Sequence, residues 1–263
     1  MTKTAPAAVA VAATVVAPAV AAPIVATPAA PAAALPVAPP AGQIPNPKRR
    51  VRTLLFAEDP YAALEKVFPP DLQGWDSQNP IFERVIGEVR PSVIVEVGTW
   101  KGASAIHMAT VCKRLGIDPE IVCVDTWLGN WQHWARKDGI GSRIDLRLKN
   151  GFPNLYFQFM SNVVSQKCED MITPLPLTGV AGAKLFAHLA VKPDMVYIDG
   201  DHEYESVMFD LRGWLAQLSP RGVLVGDDYM WPGVKQAADE IALDPAWTLE
   251  VTGNKFIIRR AAS

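Results

Sequence analysis

Short apolar runs alternate along this chain with stretches whose apolar residues recur at helical spacing. The apolar runs predict strands at residues 93–97, 121–125, 171–175, 195–198 and 222–226. Unbroken β-branched runs of this length suit strands that are covered on both faces, as in a parallel sheet. The stretches between and beside them predict helices at residues 80–89, 103–112, 155–167, 180–189, 204–218 and 232–243.

The two ends of this pattern differ from its middle. Residues 52–70 predict a short helical lead-in that ends at Pro69-Pro70, and residues 247–251 and 255–259 predict a hairpin across Thr252-Gly253-Asn254. Strands that alternate with helices and end in a hairpin indicate an α/β fold. We therefore expect a Rossmann-like doubly wound sheet of about seven strands, mostly parallel, with a C-terminal antiparallel hairpin.

The first 47 residues have a different composition, mostly Ala, Pro and Val, and hold ten of the 23 prolines. Proline at this density stops both helices and strands, which predicts a disordered tail. A secretory signal is the alternative, because Lys3 precedes an Ala/Val stretch, although Pro18 and Pro23 interrupt it. The same prolines argue against a membrane span. The predicted organisation is a tail at 1–47, a helical lead-in at 48–92 and a ligand-binding domain at 93–263.

Charge and cysteine content narrow the class of partner. The first 50 residues contain no acid, and the remainder carries 21 bases against 27 acids, a net charge of −6. A nucleic-acid partner would favour a basic face, so none is expected. The cysteines at 112, 123 and 168 lack metal-binding spacing and predict buried free thiols in a reducing compartment, hence a cytoplasmic location.

A glycine loop follows the first predicted strand. Glu96 lies within that strand, Gly98 and Gly102 are four positions apart, and Ser104 begins the next helix. Such a turn presents bare backbone N–H groups at the positive end of a helix, where a ligand binds. No third glycine stands at dinucleotide spacing, which departs from the nicotinamide fingerprint. An ordinary turn between strand and helix is the alternative.

Asp125 closes the second predicted strand, 27 positions after Gly98. An acid at this place can accept hydrogen bonds from both ribose hydroxyls of an adenosine. The alternative is an aspartate that only caps the loop.

Three further acids, Asp199, Asp227 and Asp228, follow two strands that are expected to be neighbours in the sheet. Carboxylates that converge in one cleft repel each other unless a cation joins them, and Mg²⁺ is the simplest hard divalent ion with oxygen ligands. The alternative is that Asp227 and Asp228 cap the helix that follows them, and that Asp201 caps the helix after Asp199.

The motifs E-V-G-T-W-x-G-x-S, V-D-T-W, Y-I-D-G-D-H-x-Y and D-D-Y together resemble class I S-adenosylmethionine (SAM) methyltransferases. Across about residues 71–260 the acid pattern is similar to the metal-dependent catechol O-methyltransferases, and the wider motif set is similar to the macrolide-sugar and antibiotic O-methyltransferases. The resemblance implies a cofactor site at Gly98, Gly102, Ser104 and Asp125. Glu96, within the first strand, is expected either to orient the glycine loop or to be a hydrogen-bonded structural residue. The resemblance also implies a metal site at Asp199, Asp227 and Asp228, and His202 as general base. Residues 171–182 lack a clear acidic or serine contact for adenine, and Thr178 is the candidate there.

The expected function is therefore SAM-dependent, Mg²⁺-assisted methyl transfer to a hydroxyl of a small molecule or sugar. Two alternatives stay open: a nucleotide-sugar glycosyltransferase that uses Asp199-Gly-Asp201 as its metal motif, and a SAM-binding protein without turnover.

A long loop contains Trp127, Trp131 and Trp134. It is expected to be a lid or wall for a ring-shaped acceptor, or else a cover on the sheet. The sequence leaves the oligomeric state open, including a homo-oligomer.

Overall fold

The computed structural model of the protein describes residues 47–64 and 68–261, so the predicted tail lies outside the described residues apart from Pro47. Seven strands form one sheet in the order β3-β2-β1-β4-β5-β7-β6. The strands are β1 (Val93–Val97), β2 (Glu120–Val124), β3 (Ile172–Leu175), β4 (Met195–Ile198), β5 (Val223–Gly226), β6 (Trp247–Thr252) and β7 (Lys255–Arg260).

The helices cover this sheet and connect its parallel strands. They are α1 (Arg50–Leu55), α2 (Ile81–Val89), α3 (Ala103–Arg114), α4 (Trp131–Ala135), α5 (Leu155–Ser165), α6 (Gly179–Leu189), α7 (Tyr204–Leu215) and α8 (Pro232–Ile241). Strands β1 to β5 pair in parallel, and β7 runs antiparallel to both β5 and β6. The predicted doubly wound sheet with its terminal hairpin is confirmed.

Two apolar layers bury the sheet. One packs α2, α3 and α5 on one face, with Phe82 and Phe159 fully buried, and the other packs α6, α7 and α8 on the opposite face around Phe186 and Trp214. Both faces of the parallel strands are therefore covered, which explains their mostly apolar sequences. The strand order reverses at β1, between β2 and β4, and ligands of such sheets bind at that reversal, beyond the carboxyl ends of the strands.

The helical lead-in is shorter than predicted. Helix α1 ends at Leu55, and no other helix occurs between it and α2 in the described residues. Pro60 explains part of the difference, because a proline disfavours helical backbone at the residue before it, here Asp59. The segment is not a separate unit either: the N–H groups of Val51 and Arg52 each donate to the Glu120 carboxylate, at 2.8 Å. The described residues from 47 onward belong to one compact unit.

The loop after β2 contains a helix that the sequence pattern did not predict. Helix α4 is five residues long, and Asn130 caps it by accepting from the N–H of His133 at 3.1 Å.

None of the helices within 47–64 and 68–261 is long and apolar enough to cross a membrane. The three cysteines are buried free thiols, as predicted.

Candidate functional site

One cleft of about 900 Å³ lies at the edge of the sheet where the carboxyl ends of the parallel strands meet. The loops after β1, β2, β3, β4 and β5 all contribute to its walls. Its volume is in the range of sites that bind cofactors and other small ligands. All of the predicted site residues line this cleft except Glu96 and Gly102.

The two glycines of the β1 loop have different roles. Both have left-handed backbone angles, with φ of 84° at Gly98 and 86° at Gly102. A Cβ at residue 98 would overlap the backbone carbonyl of Asp199, so Gly98 lets the β1 and β4 loops approach each other inside the cleft. A Cβ at residue 102 would instead lie 2.8 Å from the ring of Phe159 in the core. Gly102 therefore shapes the start of α3 and does not line the cleft, and its contact with the cofactor stays a prediction.

Glu96 lies beneath the cleft. Its side chain is fully buried, and it accepts hydrogen bonds from the Ser104 hydroxyl and, at 3.6 Å, from the Cys123 thiol. Burial raises its pKa to about 8, although the bond from Ser104 acts in the opposite direction. Glu96 therefore contacts the start of α3 through Ser104 and does not itself line the cleft, and its role in orienting the glycine loop stays a prediction.

Asp125 ties the β1 and β2 loops together. Its Oδ2 accepts from the N–H groups of Thr99 at 2.9 Å and Trp100 at 2.8 Å, and its Oδ1 accepts from the N–H of Trp127 at 2.7 Å. Burial raises the pKa of Asp125 in spite of these bonds. The loop-capping role is thus present, and Asp125 also lines the cleft, so its contact with a ribose hydroxyl stays a prediction.

The three predicted acids do converge. The hydroxyl of Tyr197 lies 2.9 Å from Asp199 Oδ2 and 2.7 Å from Asp227 Oδ2, and the N–H of Asp228 donates to Asp227 Oδ1 at 2.8 Å. The pKa of Asp199 is raised to about 7, first by burial and then by the negative charges of Asp227 and Asp228. The cluster therefore carries negative charge that its surroundings only partly offset.

Lys255 supplies part of that offset, and the sequence analysis did not identify it. Its side chain is fully buried, and its ammonium group donates to Asp227 Oδ2 and, at 3.2 Å, to the hydroxyl of Tyr197. The ammonium also lies 3.6 Å from Asp76 Oδ2. A lysine at the head of the otherwise apolar run KFII was the signal for this role, because a buried lysine needs an acidic partner.

His202 is held in the cleft by Asp228 and Trp231. Its Nε2 lies 2.8 Å from Asp228 Oδ2, and its ring stacks on Trp231 with centroids 4.6 Å apart. The hydrogen bond to Asp228 is the main cause of its raised pKa. A neutral His202 that donates through Nε2 leaves Nδ1 as the proton acceptor, and Nδ1 has no hydrogen-bond partner in the described part of the chain.

Asp228 is the partner that holds this ring. Its backbone has a positive φ of 59°, and its Oδ1 accepts from Asn254 Nδ2 at 2.9 Å. Although burial alone would raise its pKa, the bonds from His202 and Asn254 lower the pKa below its ordinary value. Both oxygens of Asp228 are therefore engaged, one of them with the proposed base.

The tryptophans of the β2 loop do not act together. Trp127 is in the core, with 1 % of its surface exposed, whereas Trp131 and Trp134 are exposed and do not line the cleft. The aromatic wall of the cleft comes instead from Trp100, which stacks on His133 with centroids 4.5 Å apart. Trp75, ahead of β1, adds to this wall at 6.0 Å from Trp100. The three tryptophans of residues 127–134 therefore form neither a lid nor a wall of the cleft, and Trp100 and Trp75 supply the indole rings of its aromatic wall.

The cleft continues to the loop after β3. The Thr178 hydroxyl oxygen caps α6 by accepting from the N–H of Ala181 at 3.3 Å. The neighbouring Gly179 packs against the carboxylate of Asp210, which reaches this corner from α7 and was not among the predicted site residues.

The donor chemistry of the acid cluster fits a hard divalent ion, because all three side chains offer carboxylate oxygens. The oxygens of Asp227 and Asp228 are, however, already bound to Lys255, Tyr197, His202 and Asn254. Across residues 47–64 and 68–261, no group of three or more His, Cys, Asp or Glu side chains is arranged to hold a metal ion. The metal site therefore stays a prediction.

The chain matches a protein family described as a methyltransferase domain over residues 95–229. That span contains the glycine loop, Asp125, the three acids and His202, and it is half of the chain. The chain therefore belongs to this methyltransferase family. With the doubly wound sheet, this confirms the class predicted from the motifs, a class I SAM-dependent methyltransferase, and it counts against the glycosyltransferase alternative.

Solved structures with a similar fold include the O-methyltransferase from Bacillus cereus, in complex with S-adenosylhomocysteine (SAH). It has a TM-score of 0.52 and 14% identity, over 73% of this chain and 84% of that one. The SAH-bound methyltransferase PaMTH1 from Podospora anserina has a TM-score of 0.52 and 15% identity, over 73% and 81% of the two chains. The SAM-bound O-methyltransferase TomG from Streptomyces achromogenes has a TM-score of 0.52 and 14% identity, over 73% and 83%. At these identities the likeness shows the fold.

A curated relative, an uncharacterized protein from Sinorhizobium fredii, is 23% identical over 154 residues. The match covers 59% of this chain and only 15% of that protein, so the chain spans a small part of its relative.

Proposed function

We propose that this protein transfers the methyl group of SAM to a hydroxyl oxygen of a small molecule or sugar, with the help of a divalent cation. One observation carries the proposal: the same cleft holds the glycine loop with Asp125 and, at the ends of β4 and β5, an acid cluster with an oriented histidine. The structural relatives that are named O-methyltransferases support the choice of oxygen as the methyl acceptor.

The part of the cleft that is proposed to bind the cofactor is formed by the glycine loop after β1 and by Asp125 after β2. Asp125 holds the N–H groups of Thr99 and Trp100, which fixes the glycine loop before any ligand arrives. A loop that is fixed in advance loses little conformational entropy on binding. The carboxylate of Asp125, which lines the cleft, is the proposed acceptor for a ribose hydroxyl.

The acceptor half lies between the acids and the aromatic wall. Trp100, Trp75 and His133 offer flat faces to a ring-shaped acceptor. Arg136 is the only Lys or Arg among the described residues that line the cleft, and its Nη1 donates to the carbonyl of Ile140 at 3.0 Å. These side chains would orient an acceptor so that its hydroxyl oxygen approaches the methyl group in line, and such positioning is a large part of the rate of group transfer.

His202 is the proposed general base. Because Asp228 engages Nε2, the acceptor for the hydroxyl proton would be Nδ1, which is buried in this structure and would have to be reached by a rotation of the ring when the acceptor binds. Asp228 then stabilises the imidazolium that forms, while stacking on Trp231 holds the plane of the ring. This pairing assigns Asp228 a role in orienting the base in addition to its proposed role as a metal ligand.

Asp199, Asp227 and Asp228 are the residues that would hold a divalent ion. The chemistry that such an ion supplies is a lower pKa of the acceptor hydroxyl. The convergence of Asp199, Asp227 and Asp228 at the ends of β4 and β5 supports this part of the proposal, because Lys255 is the one buried ammonium group that the described residues place beside the cluster. Asp199 also accepts only one hydrogen bond from the described side chains, that from Tyr197.

Calorimetry with SAH tests the cofactor half. Asp125→Ala should weaken SAH binding about tenfold or more, because it removes a charged acceptor and releases the loop N–H groups. Asp138→Ala, an exposed acid outside the cleft, is the control and should bind SAH normally. Tight binding of NADH or a UDP-sugar without any binding of SAH would refute the proposal that SAM is the cofactor.

A screen of hydroxyl acceptors with labelled SAM, run with Mg²⁺ and with excess EDTA, tests the acceptor half. We expect transfer that depends on the cation, and Asp227→Asn should abolish transfer while SAH still binds. Full activity in EDTA would remove the metal from the proposal and leave the methyl transfer standing.

A further inference from the structure

Asp210 stands apart from the other acids that line the cleft. The carboxylates of Asp76, Asp125, Asp199, Asp201, Asp227 and Asp228 all have hydrogen-bond partners. The carboxylate of Asp210 has none within the described chain, although the residue is half-buried and belongs to a well-formed helix. A partly buried carboxylate without a donor is costly, and in a ligand cleft the missing donor is expected on the ligand.

Two loops fix the position of this carboxylate. A Cβ at Gly179 would overlap its Oδ1, and a Cβ at Gly200 would lie 3.9 Å from its Oδ2. The group therefore occupies the space that a side chain at residue 179 would fill, at the corner of the cleft after β3. Leu177, Val180 and Phe209 also line this corner and offer apolar surface beside the charged oxygens.

The order of the strands says which part of the cofactor reaches this corner. The glycine loop follows β1, Asp125 follows β2, and Thr178-Gly179 follow β3, and these three strands lie side by side. If Asp125 binds the ribose, the base lies one strand further out, at β3, and the methionine part lies on the opposite side, toward β4. The chemical environment at β3 agrees, because a flat base with a polar edge needs apolar faces and one acceptor for its amino group.

We propose that Asp210 accepts a hydrogen bond from the exocyclic amino group of the adenine of SAM and so selects adenine over other bases. The inference rests on the proposed cofactor and extends it. It also accounts for the absence of an acid or serine in residues 171–182, since the acceptor comes from α7 rather than from the loop after β3. Burial, with a smaller contribution from the charge of Asp201, raises the pKa of Asp210 to about 6, which leaves it mostly ionised and able to accept at neutral pH.

The test compares SAH with its deaminated analogue, in which hypoxanthine replaces adenine, by calorimetry on the full chain. The wild type should bind the analogue roughly 10- to 100-fold more weakly, because a carbonyl oxygen replaces the amino group and faces the carboxylate. Asp210→Asn should bind SAH more weakly and should lose this preference, since its amide can donate to the new carbonyl. Glu205→Gln, an exposed acid of the same helix, is the matched control and should keep the wild-type preference.

A second variant leaves Asp210 in place. In Gly179→Ala the new methyl group must displace the carboxylate, so this variant should also lose the preference for adenine. A readout without ligand separates this role from a structural one: Asp210→Asn should raise the melting temperature, because the wild-type carboxylate is buried without a partner.

The outcomes distinguish this inference from the proposed function. If the wild type binds SAH but binds the deaminated analogue equally well, or if Asp210→Asn keeps the wild-type preference, the assignment of Asp210 is wrong and the cofactor proposal stands. If the wild type binds neither ligand, both proposals are overturned.

Discussion

Replacing Lys255 with methionine tests whether a buried cation holds the acid cluster together. The substitution keeps the length of the side chain and removes its charge. Asp227, with 6 % of its surface exposed, would then lose its ionic partner while it stays inside the protein. The ammonium group also lies over the rings of Phe82 and Tyr197, at 5.6 Å and 5.3 Å from their centroids, and these contacts would lose their electrostatic part.

The magnitude follows from the burial of the pair. Removing one partner of a buried ion pair costs about 3–5 kcal/mol, because the other charge is left unpaired in a region of low polarity. For a domain of this size, 1 kcal/mol corresponds to about 2–4 °C, so the melting temperature should fall by ~6–20 °C. Thermal unfolding followed by circular dichroism measures this shift. Adding Asp227→Asn to the variant should recover part of the loss, because a neutral amide replaces the unpaired charge.

An exposed lysine provides the control. Lys235 pairs with Asp239 at 2.5 Å on the surface of α8, where 52% and 45% of the two side chains are exposed. Surface pairs contribute about 1 kcal/mol or less, so Lys235→Met should lower the melting temperature by only a few degrees. If Lys255→Met were as stable as this control, Asp227 would not depend on the buried ammonium, and Lys255 would not hold the acid cluster together.

Three other outcomes are expected. Gly98→Ala should lower stability and abolish SAH binding in a calorimeter, because the added methyl group overlaps the Asp199 carbonyl; normal binding would contradict the close approach of the two loops. His202→Ala should lower turnover by about 10²–10⁴-fold while SAH binding is unchanged, and near-normal turnover would show that another group accepts the proton. Deletion of residues 1–46 should leave the melting temperature and the SAH affinity unchanged, and a loss of either would show that this segment contributes to the domain.

The fold was predictable because its strongest signals are local. The parallel strands are mostly apolar because both faces of the sheet are covered, and β1, β2, β4 and β5 are each followed directly by a glycine or an aspartate. The polar residues that follow β1, β2, β4 and β5 meet because parallel strands share one carboxyl edge. Asp125, Asp199, Asp227 and Asp228 could therefore be placed in one cleft from spacing and topology alone.

The features that the sequence pattern could not predict depend on packing. Trp127 occupies the core and Trp131 lies exposed at the surface, yet both belong to the same loop sequence, which carries no period that separates inside from outside. Gly102 has the backbone angle of a ligand loop, but what it avoids is the ring of Phe159, a contact between α3 and α5 that no local pattern encodes. Asp210 lies on a face of α7 whose orientation toward the cleft depends on how α6 and α7 pack.

The direction of strand β7 explains why the role of Lys255 was not predicted from the sequence. A parallel sheet places only the carboxyl ends of its strands at the ligand edge, but an antiparallel strand begins at that edge. Strand β7 pairs with β5 so that Phe256 faces Gly226, and the residues one step further, Lys255 and Asp227, therefore meet at the ligand edge of the sheet, beneath the cleft surface. Asn254, one residue earlier, reaches Asp228 for the same reason. The terminal hairpin thus closes the sheet and also supplies the cation and the amide that hold the acid cluster.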